Sequence, residues 1–588
     1  MALAAGNACA QYGSEVYFGD SSIDAGFFGG ARFTVNPGLV FPQVLGQRYG
    51  VAITSSSQGG TDYGAGGARV AQLPGYPPIP PTNAAPPLST QIAAFLGSGR
   101  AVDPNALYGV SIGYNDIFTN LDAIGAGLIT PEQAQAAIAQ AAVQAAQQIA
   151  LLQAAGARYV VVLNLYDTGI SPAGRANPSV PFTAVTNLYN STLTGALAQA
   201  GVQYIYVDTS RLFHEVAANP AAFGFVNVTQ SACTVPVSLL CTPATLVAPD
   251  AAQTYLFADP VHPTPAGHAI MAAVVASMLE GPAKIGVLAE APLAVEQATF
   301  RAIDGRMISA VGAPPTQGKF QAWASYDYGN NDFDGPFVSG NADVNTIAAG
   351  GDLRLSEQLL VGVAFSYSEN KGDFGGGSGG YKLKEPTGTV YVGYGGGPWY
   401  VGATLGAGDL DYSDVHRNLQ LGALGRTESG EARGWHVMGS VLGGYWFNYA
   451  NWLHGPFVRL SYQEIHVKAF SERGSDSTAL SYGEQERKSL VSTLGWQVAG
   501  QIGNVRPFAR IAWEFESKDD QRFVSAALVG FDGSYSVPVI RPDDNFFRYA
   551  LGASADFGRV TGYLVGSATS SRSDGNGYGI TVGLRVPL

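Results

Sequence analysis

From about residue 316 to the C-terminus the chain repeats one pattern, a strict alternation of apolar with small or polar residues, and few folds accept it. Its last residues carry the pattern most plainly. Tyr578, Ile580, Val582, Leu584, Val586 and Leu588 alternate with Gly579, Thr581, Gly583, Arg585 and Pro587. Successive side chains on a strand point to opposite faces, so one face here is apolar and the other small or polar. A strand standing between lipid and a polar lumen needs that arrangement. Similar segments fall near 319–328, 344–354, 358–368, 386–396, 398–412, 433–448, 452–468, 487–502, 505–518, 545–557, 559–570 and 576–588. Their total of twelve is even, as in closed bacterial barrels.

The connections separate a barrel from a soluble β-sandwich. Ser356-Glu357, Gly395-Gly396-Gly397, Asn448 to Asn451, Gly503-Asn504 and Phe557-Gly558 are short. The stretches 369–385, 413–432, 469–486 and 519–544 read as long polar loops. Short turns alternating with long loops put every loop at one end, which a membrane barrel demands and a sandwich does not.

Charge divides the 588 residues in two. Residues 1–285 hold 8 Lys+Arg and 14 Asp+Glu, with no lysine before Lys284; the remainder holds 24 and 31. A boundary near 285 follows. The formal charge of −13 argues against nucleic acid, which requires a basic footprint. No run of 18 consecutive apolar residues is present, so no transmembrane helix is expected. Met1-Ala-Leu-Ala-Ala-Gly lacks the basic start and apolar run of a signal peptide. Either a signal has been removed and an initiator Met added, or none was there. Of the cysteines, Cys233 and Cys241 stand eight residues apart around Pro236, a spacing that suits a small disulfide loop in an oxidising compartment. Two unpaired buried thiols are the alternative.

The first part reads as α/β. Val16-Tyr17-Phe18, Leu107 to Ile112, Tyr159 to Tyr166 and Tyr204 to Val207 read as short strands, the third continuously apolar as in a sheet covered on both faces. Thr130-Pro131-Glu132-Gln133 supplies an N-cap, a proline at N1 and a glutamine at N3, opening an Ala/Gln-rich helix that stops by Gly156. A strand–helix–strand unit of this length makes a parallel sheet. Thr264 to Leu279 reads as a closing helix. Ala291 to Val311 has helical composition and is expected either as a surface linker or as a plug in the barrel lumen. The plug is needed if the first part lies outside the cell while the first strand starts in the periplasm.

Three histidines occur in residues 13–285, namely His214, His262 and His268. One of them stands in Asp259-Pro260-Val261-His262, and a serine, Ser21, sits in the turn Phe18-Gly19-Asp20-Ser21-Ser22 that follows the first strand. Serine, imidazole and carboxylate are the set that acyl transfer needs. Ser21 and Asn115 both follow carboxyl ends of strands, where open α/β sheets place their ligand sites. No His/Cys/Asp cluster has metal-ligand spacing, so neither metal nor cofactor is expected.

With these residues in place the chain resembles the GDSL (SGNH) esterases. Phe18 to Gly26 is similar to that family's first block, Gly66-Gly67-Ala68 to the second, Gly113-Tyr114-Asn115-Asp116 to the third and Asp259-Pro260-Val261-His262-Pro263 to the last. All four stand in family order. With the barrel, the whole chain resembles the autotransporter esterases of the family. The resemblance implies Ser21 as nucleophile, His262 as base and Asp259 as its orienting carboxylate. It implies an oxyanion hole from the backbone N–H of Ser21, the backbone N–H of Gly66 and the side-chain amide of Asn115. Ser22 departs from the family's leucine and Asp62 from an asparagine that usually opens the second block; Leu588 replaces a common terminal aromatic.

The expected organisation is an N-terminal extension (1–12), an α/β esterase passenger (13–285), a linker helix inside the lumen (286–315) and a twelve-stranded outer-membrane barrel (316–588). The expected activity is carboxylic-ester hydrolysis at the cell surface through an acyl-serine. Its partners would be an ester or lipid substrate, outer-membrane lipids and, as the resemblance implies, barrel-assembly machinery. A phospholipase or acyltransferase could use the same residues. A binding-only adhesin passenger is a further class, though no fixed-period repeat is present, and an open porin is another that the lumen helix argues against.

Overall fold

Four short strands, none longer than five residues and each fully buried, open the passenger. They are β1 (Glu15–Gly19), β2 (Leu107–Ser111), β3 (Tyr159–Leu163) and β4 (Ile205–Val207), parallel and in the order 1-2-3-4. The computed structural model describes residues 12–309 and 320–588. The expected N-terminal extension and the last residues of the expected linker therefore lie outside the described residues, apart from Tyr12. Helices cover both faces of the sheet. One of them, Pro131–Ala154, starts as its sequence dictates: the Thr130 hydroxyl accepts from the Gln133 N–H and the Gln133 side chain accepts from the Thr130 N–H. Its buried alanines allow close packing against the helix Phe182–Gln199.

Twelve antiparallel strands form the barrel, and the first closes on the last through a register that sets Asp327 opposite Thr581. The alternation decides which face is which. Ile580, Val582 and Leu584 point outward, each about half exposed at 49–56 %, whereas Thr581 between them is fully buried. The outer wall is thus a band of large apolar side chains, as lipid requires.

The expected long loops need correction. Residues 369–385 and 413–432 are mostly strand: the third and fourth barrel strands run Leu359–Asp373 and Gly379–Gly396, and the fifth and sixth run Trp399–Leu421 and Leu424–Tyr445. Residues 469–486 and 519–544 contribute Phe470–Ser471, Leu480–Tyr482, Phe523–Leu528 and Tyr535–Pro538 to a separate four-stranded sheet. Polar composition suggested loop because these strands are wrapped around a helix rather than set in lipid.

That helix is Pro265–Ile285, followed by a 3₁₀ turn, Gly286–Ala289, and then Ala291–Ser309. The last of these contacts barrel strands on several sides: Arg301 pairs with Asp327 at 2.7 Å, Arg548 reaches Gln297 at 3.1 Å, and the Arg459 guanidinium lies over the Phe300 ring. It therefore runs through the lumen. By length and composition Pro265–Ile303 could cross a membrane, yet it is covered by protein. Pro282 and Pro292 lack N–H groups, so the carbonyls of Met278 and Leu288 lose their usual helical donors. Tyrosines of the surrounding strands replace them: Tyr535, from the separate sheet, donates to the Met278 carbonyl at 2.7 Å and Tyr412, from the barrel, to that of Leu288 at 2.5 Å.

Candidate active site

Strand β1 ends at Gly19, and the turn after it presents Ser21 at the carboxyl edge of the sheet. The side chain of Gln91 holds this turn by accepting from the Gly19 N–H and donating to the Gly19 carbonyl, both at 2.8 Å. No motif marks Gln91, and its burial in the helix Leu88–Leu96 is a purely tertiary fact. Ser22 replaces leucine without leaving a stranded hydroxyl. It donates to Asp20 at 2.8 Å and meets the Ser111 hydroxyl at 3.0 Å.

The loop before the closing helix brings the imidazole expected as the base. His262 Nε2 lies 2.8 Å from Ser21 Oγ, and His262 Nδ1 lies 2.7 Å from Asp259 Oδ2. Asp259 also accepts from the backbone N–H groups of Ser238, Val261 and His262 at 2.7–3.0 Å. Burial alone would raise its pKa, but the imidazole beside it and these donors outweigh that and hold the carboxyl at about 2. The row is thus a serine hydroxyl, an imidazole and a permanently charged carboxylate. Tyr166 donates to the Val261 carbonyl and so ties the loop to the sheet. The Phe33 ring covers His262 at 5.0 Å between centroids.

Ser238, one of the Asp259 donors, lies inside the loop closed by the Cys233–Cys241 disulfide. The other passenger histidines stand apart from Ser21. His214 pairs with Asp167 at 3.2 Å, and the buried His268 accepts from the Phe41 N–H. Among the described residues no group of three or more His, Cys, Asp or Glu side chains is placed to share a metal ion.

One expected donor is already engaged. The Gly66 N–H donates to Asp24 Oδ2 at 2.8 Å and does not line the cavity at Ser21. Its neighbour Gly67 does line that cavity, and among the described residues its N–H and that of Ser21 have no protein acceptor. Both glycines are required, for different reasons. A Cβ on Gly66 would stand 1.8 Å from the Phe33 ring, whereas Gly67 has φ +86°, which side-chain-bearing residues avoid. Gly-Gly reads identically at either position, so only the fold separates them.

Asn115 opens the helix Tyr114–Gly125 and is buried. One amide hydrogen donates to the Ala68 carbonyl at 2.9 Å, which leaves the second for the cavity. Asp24 and Asp62 brace the loops behind these donors. Asp24 accepts from Gly26, Phe27 and Gly66, and Asp62 from Ala25 and Gly64. Burial pushes Asp24 up to about 6; burial, with Asp24 close by, pushes Asp62 well above the usual carboxylate range. Asp116 likewise braces, pairing with Arg69 and the Val70 N–H.

Comparison with known proteins meets this geometry. Residues 16–275 match the GDSL-like Lipase/Acylhydrolase family, and residues 322–567 match the autotransporter beta-domain. The chain is a GDSL-family esterase/lipase of the autotransporter type. It is 29 % identical over 606 residues to esterase EstA of Pseudomonas aeruginosa, covering 92 % of this chain and 90 % of that protein. It is 25 % identical over 644 residues to Lipase 1 of Photorhabdus luminescens, covering 96 % and 94 %. Among solved structures, the translocator domain of autotransporter NalP from Neisseria meningitidis aligns with 51 % of this chain and 99 % of its own, at TM-score 0.41 and 16 % identity. The barrel makes this GDSL-family chain an outer-membrane protein.

Proposed function

We propose that the passenger is a cell-surface carboxylic-ester hydrolase in which Ser21, His262 and Asp259 act as a triad. The observation that carries this reading is the hydrogen-bonded row from Ser21 through His262 to Asp259. His262 Nε2 takes the Ser21 proton as Oγ attacks the ester carbonyl, and Asp259 stabilises the imidazolium that forms. Negative charge gathers on the former carbonyl oxygen, where the N–H groups of Ser21 and Gly67 and the Asn115 amide can receive it. Collapse of the tetrahedral intermediate leaves an acyl-serine, and His262 returns its proton to the departing alcohol. Water then repeats the sequence and releases the acid.

The barrel's two ends support the surface location. The turns Gly397-Pro398 and Gly503-Asn504 and both barrel termini share one end, whereas the longer excursions that build the separate four-stranded sheet leave from the other, and in such proteins the longer connections face outward. The passenger packs at the opposite end, where Tyr206 stacks on Phe531 at 4.0 Å and Glu215 pairs with Arg426 at 2.7 Å. That end faces outward. Relatives named esterase and lipase agree with an ester substrate.

The test is Ser21→Ala in cells displaying the full chain. Hydrolysis of p-nitrophenyl butyrate and fluorophosphonate labelling should both vanish. Turnover that persists would refute the triad. Added short alcohols separate hydrolysis from acyl transfer by the product formed.

A further inference from the structure

We propose that the cavity beside Ser21 is an acyl-chain trough and that Phe118 sets the length of chain it accepts; this rests on the esterase reading above. The cavity has a volume of about 780 Å³, inside the ~300–1,000 Å³ range of cavities that enclose small-molecule ligands. Its direction comes from one helix. Tyr114, Phe118, Leu121 and Gly125 all line it, and that spacing is a single face of Tyr114–Gly125. The face begins beside Asn115, where the ester carbonyl must sit, and leads away for about 16 Å at 1.5 Å per residue.

Phe118 stands in the middle of this path. Its ring lies 5.6 Å from that of Tyr76 and 6.3 Å from that of Phe182, so the three rings pack against one another as one aromatic wall with Phe118 at its centre. The wall chemistry excludes most other ligands. Residues 73–88 and 234–249, which supply the loops at the mouth, contain no Asp, Glu, Lys or Arg. Ile79 and Val237 line the cavity from these loops while remaining 59 % and 38 % exposed, so apolar surface continues from the interior onto the rim. Apart from Asp259, the one carboxylate on the lining is Asp122, which the Tyr76 hydroxyl engages. A sugar or peptide would find few partners there, whereas an alkyl chain needs none.

The wall is also built in advance. Seven prolines lie between residues 74 and 87, and the Thr82 hydroxyl donates to the Pro77 and Ile79 carbonyls. The Tyr76 N–H donates to the Gly67 carbonyl at 2.8 Å. The residue offering a donor to the oxyanion is thereby tied to the loop that would hold the chain, and little ordering remains for binding to impose.

The experiment measures kcat/KM for p-nitrophenyl esters from acetate to palmitate on the full chain in outer-membrane preparations. The value should rise about fourfold per methylene through the medium chains and then level. Phe118→Trp should lower the decanoate-to-acetate ratio at least tenfold, and Leu121→Trp, further along the helix, should penalise only longer chains. Fluorophosphonate labelling of Ser21 reports folding of each variant. A flat wild-type profile, or variant profiles that superimpose on it while Ser21 is labelled, overturns the trough. Hydrolysis surviving Ser21→Ala would instead sink the esterase reading beneath it, so the two failures are distinguishable.

Discussion

Replacing Asn115 isolates the oxyanion contribution. The side chain is 5 % exposed and makes one protein hydrogen bond, from its amide to the Ala68 carbonyl. Asn115→Ala therefore has two separable effects. Loss of the donor to the oxyanion should lower kcat about 10²- to 10³-fold, or ~3–4 kcal/mol of transition-state stabilisation. KM should stay within about threefold, because the contact is made only once charge develops. The stranded Ala68 carbonyl should also cost about 1–3 kcal/mol of stability. Asn115→Asp keeps the size but removes the donor and sets a negative charge against the oxyanion, so its kcat should fall below that of Asn115→Ala. The assay is kcat and KM for p-nitrophenyl butyrate on the full chain, with urea unfolding followed by circular dichroism. Folded Asn115→Ala retaining more than a tenth of wild-type kcat, or Asn115→Asp exceeding it, would refute the reasoning.

Asp259→Asn should lower kcat by about 10²–10⁴, because an amide cannot hold the imidazole in its reactive tautomer or stabilise its charge; burst kinetics should place the loss in acylation. Since Asp259 is held at about 2, its ionisation is complete well below neutrality, and the wild-type rate should show no limb from it between pH 4 and 9. Burial pushes His268 down to about 3, so it stays neutral in the folded chain and takes up a proton on unfolding below about pH 6.5. Stability therefore falls as pH drops from about 6.5 toward 3, and His268→Gln should spare roughly 2 kcal/mol of the loss between pH 8 and 5, read as the urea midpoint of Ser21 labelling. Cys233→Ser with Cys241→Ser removes a short closed loop worth ~2–3 kcal/mol; because Ser238 in that loop donates to Asp259, kcat should fall several-fold as well.

Local rules carried much of this protein. Period two announced the barrel strands, since a lipid-facing wall and a polar interior impose alternation residue by residue. Thr130 and Gln133 announced a helix start for an equally local reason. Polar composition misled at 369–385 and 413–432, because strands that clasp a protein helix are under no pressure to be apolar outside. Asp62 looked like a defect in a motif, yet its two oxygens take the N–H groups of Gly64 and Ala25.

By itself, then, the order of residues determined the α/β passenger, the number of barrel strands and the candidacy of Ser21, His262, Asp259 and Asn115. Each depends on a short-range pattern or on chemistry that few side chains possess. Only the tertiary structure decided between Gly66 and Gly67, because two adjacent glycines differ solely in where Asp24 and Phe33 stand. It alone showed Gln91 gripping the Ser21 turn, and Tyr412 and Tyr535 completing a helix interrupted by prolines. Those groups are brought together by loop closure over many residues, and no local pattern records the meeting.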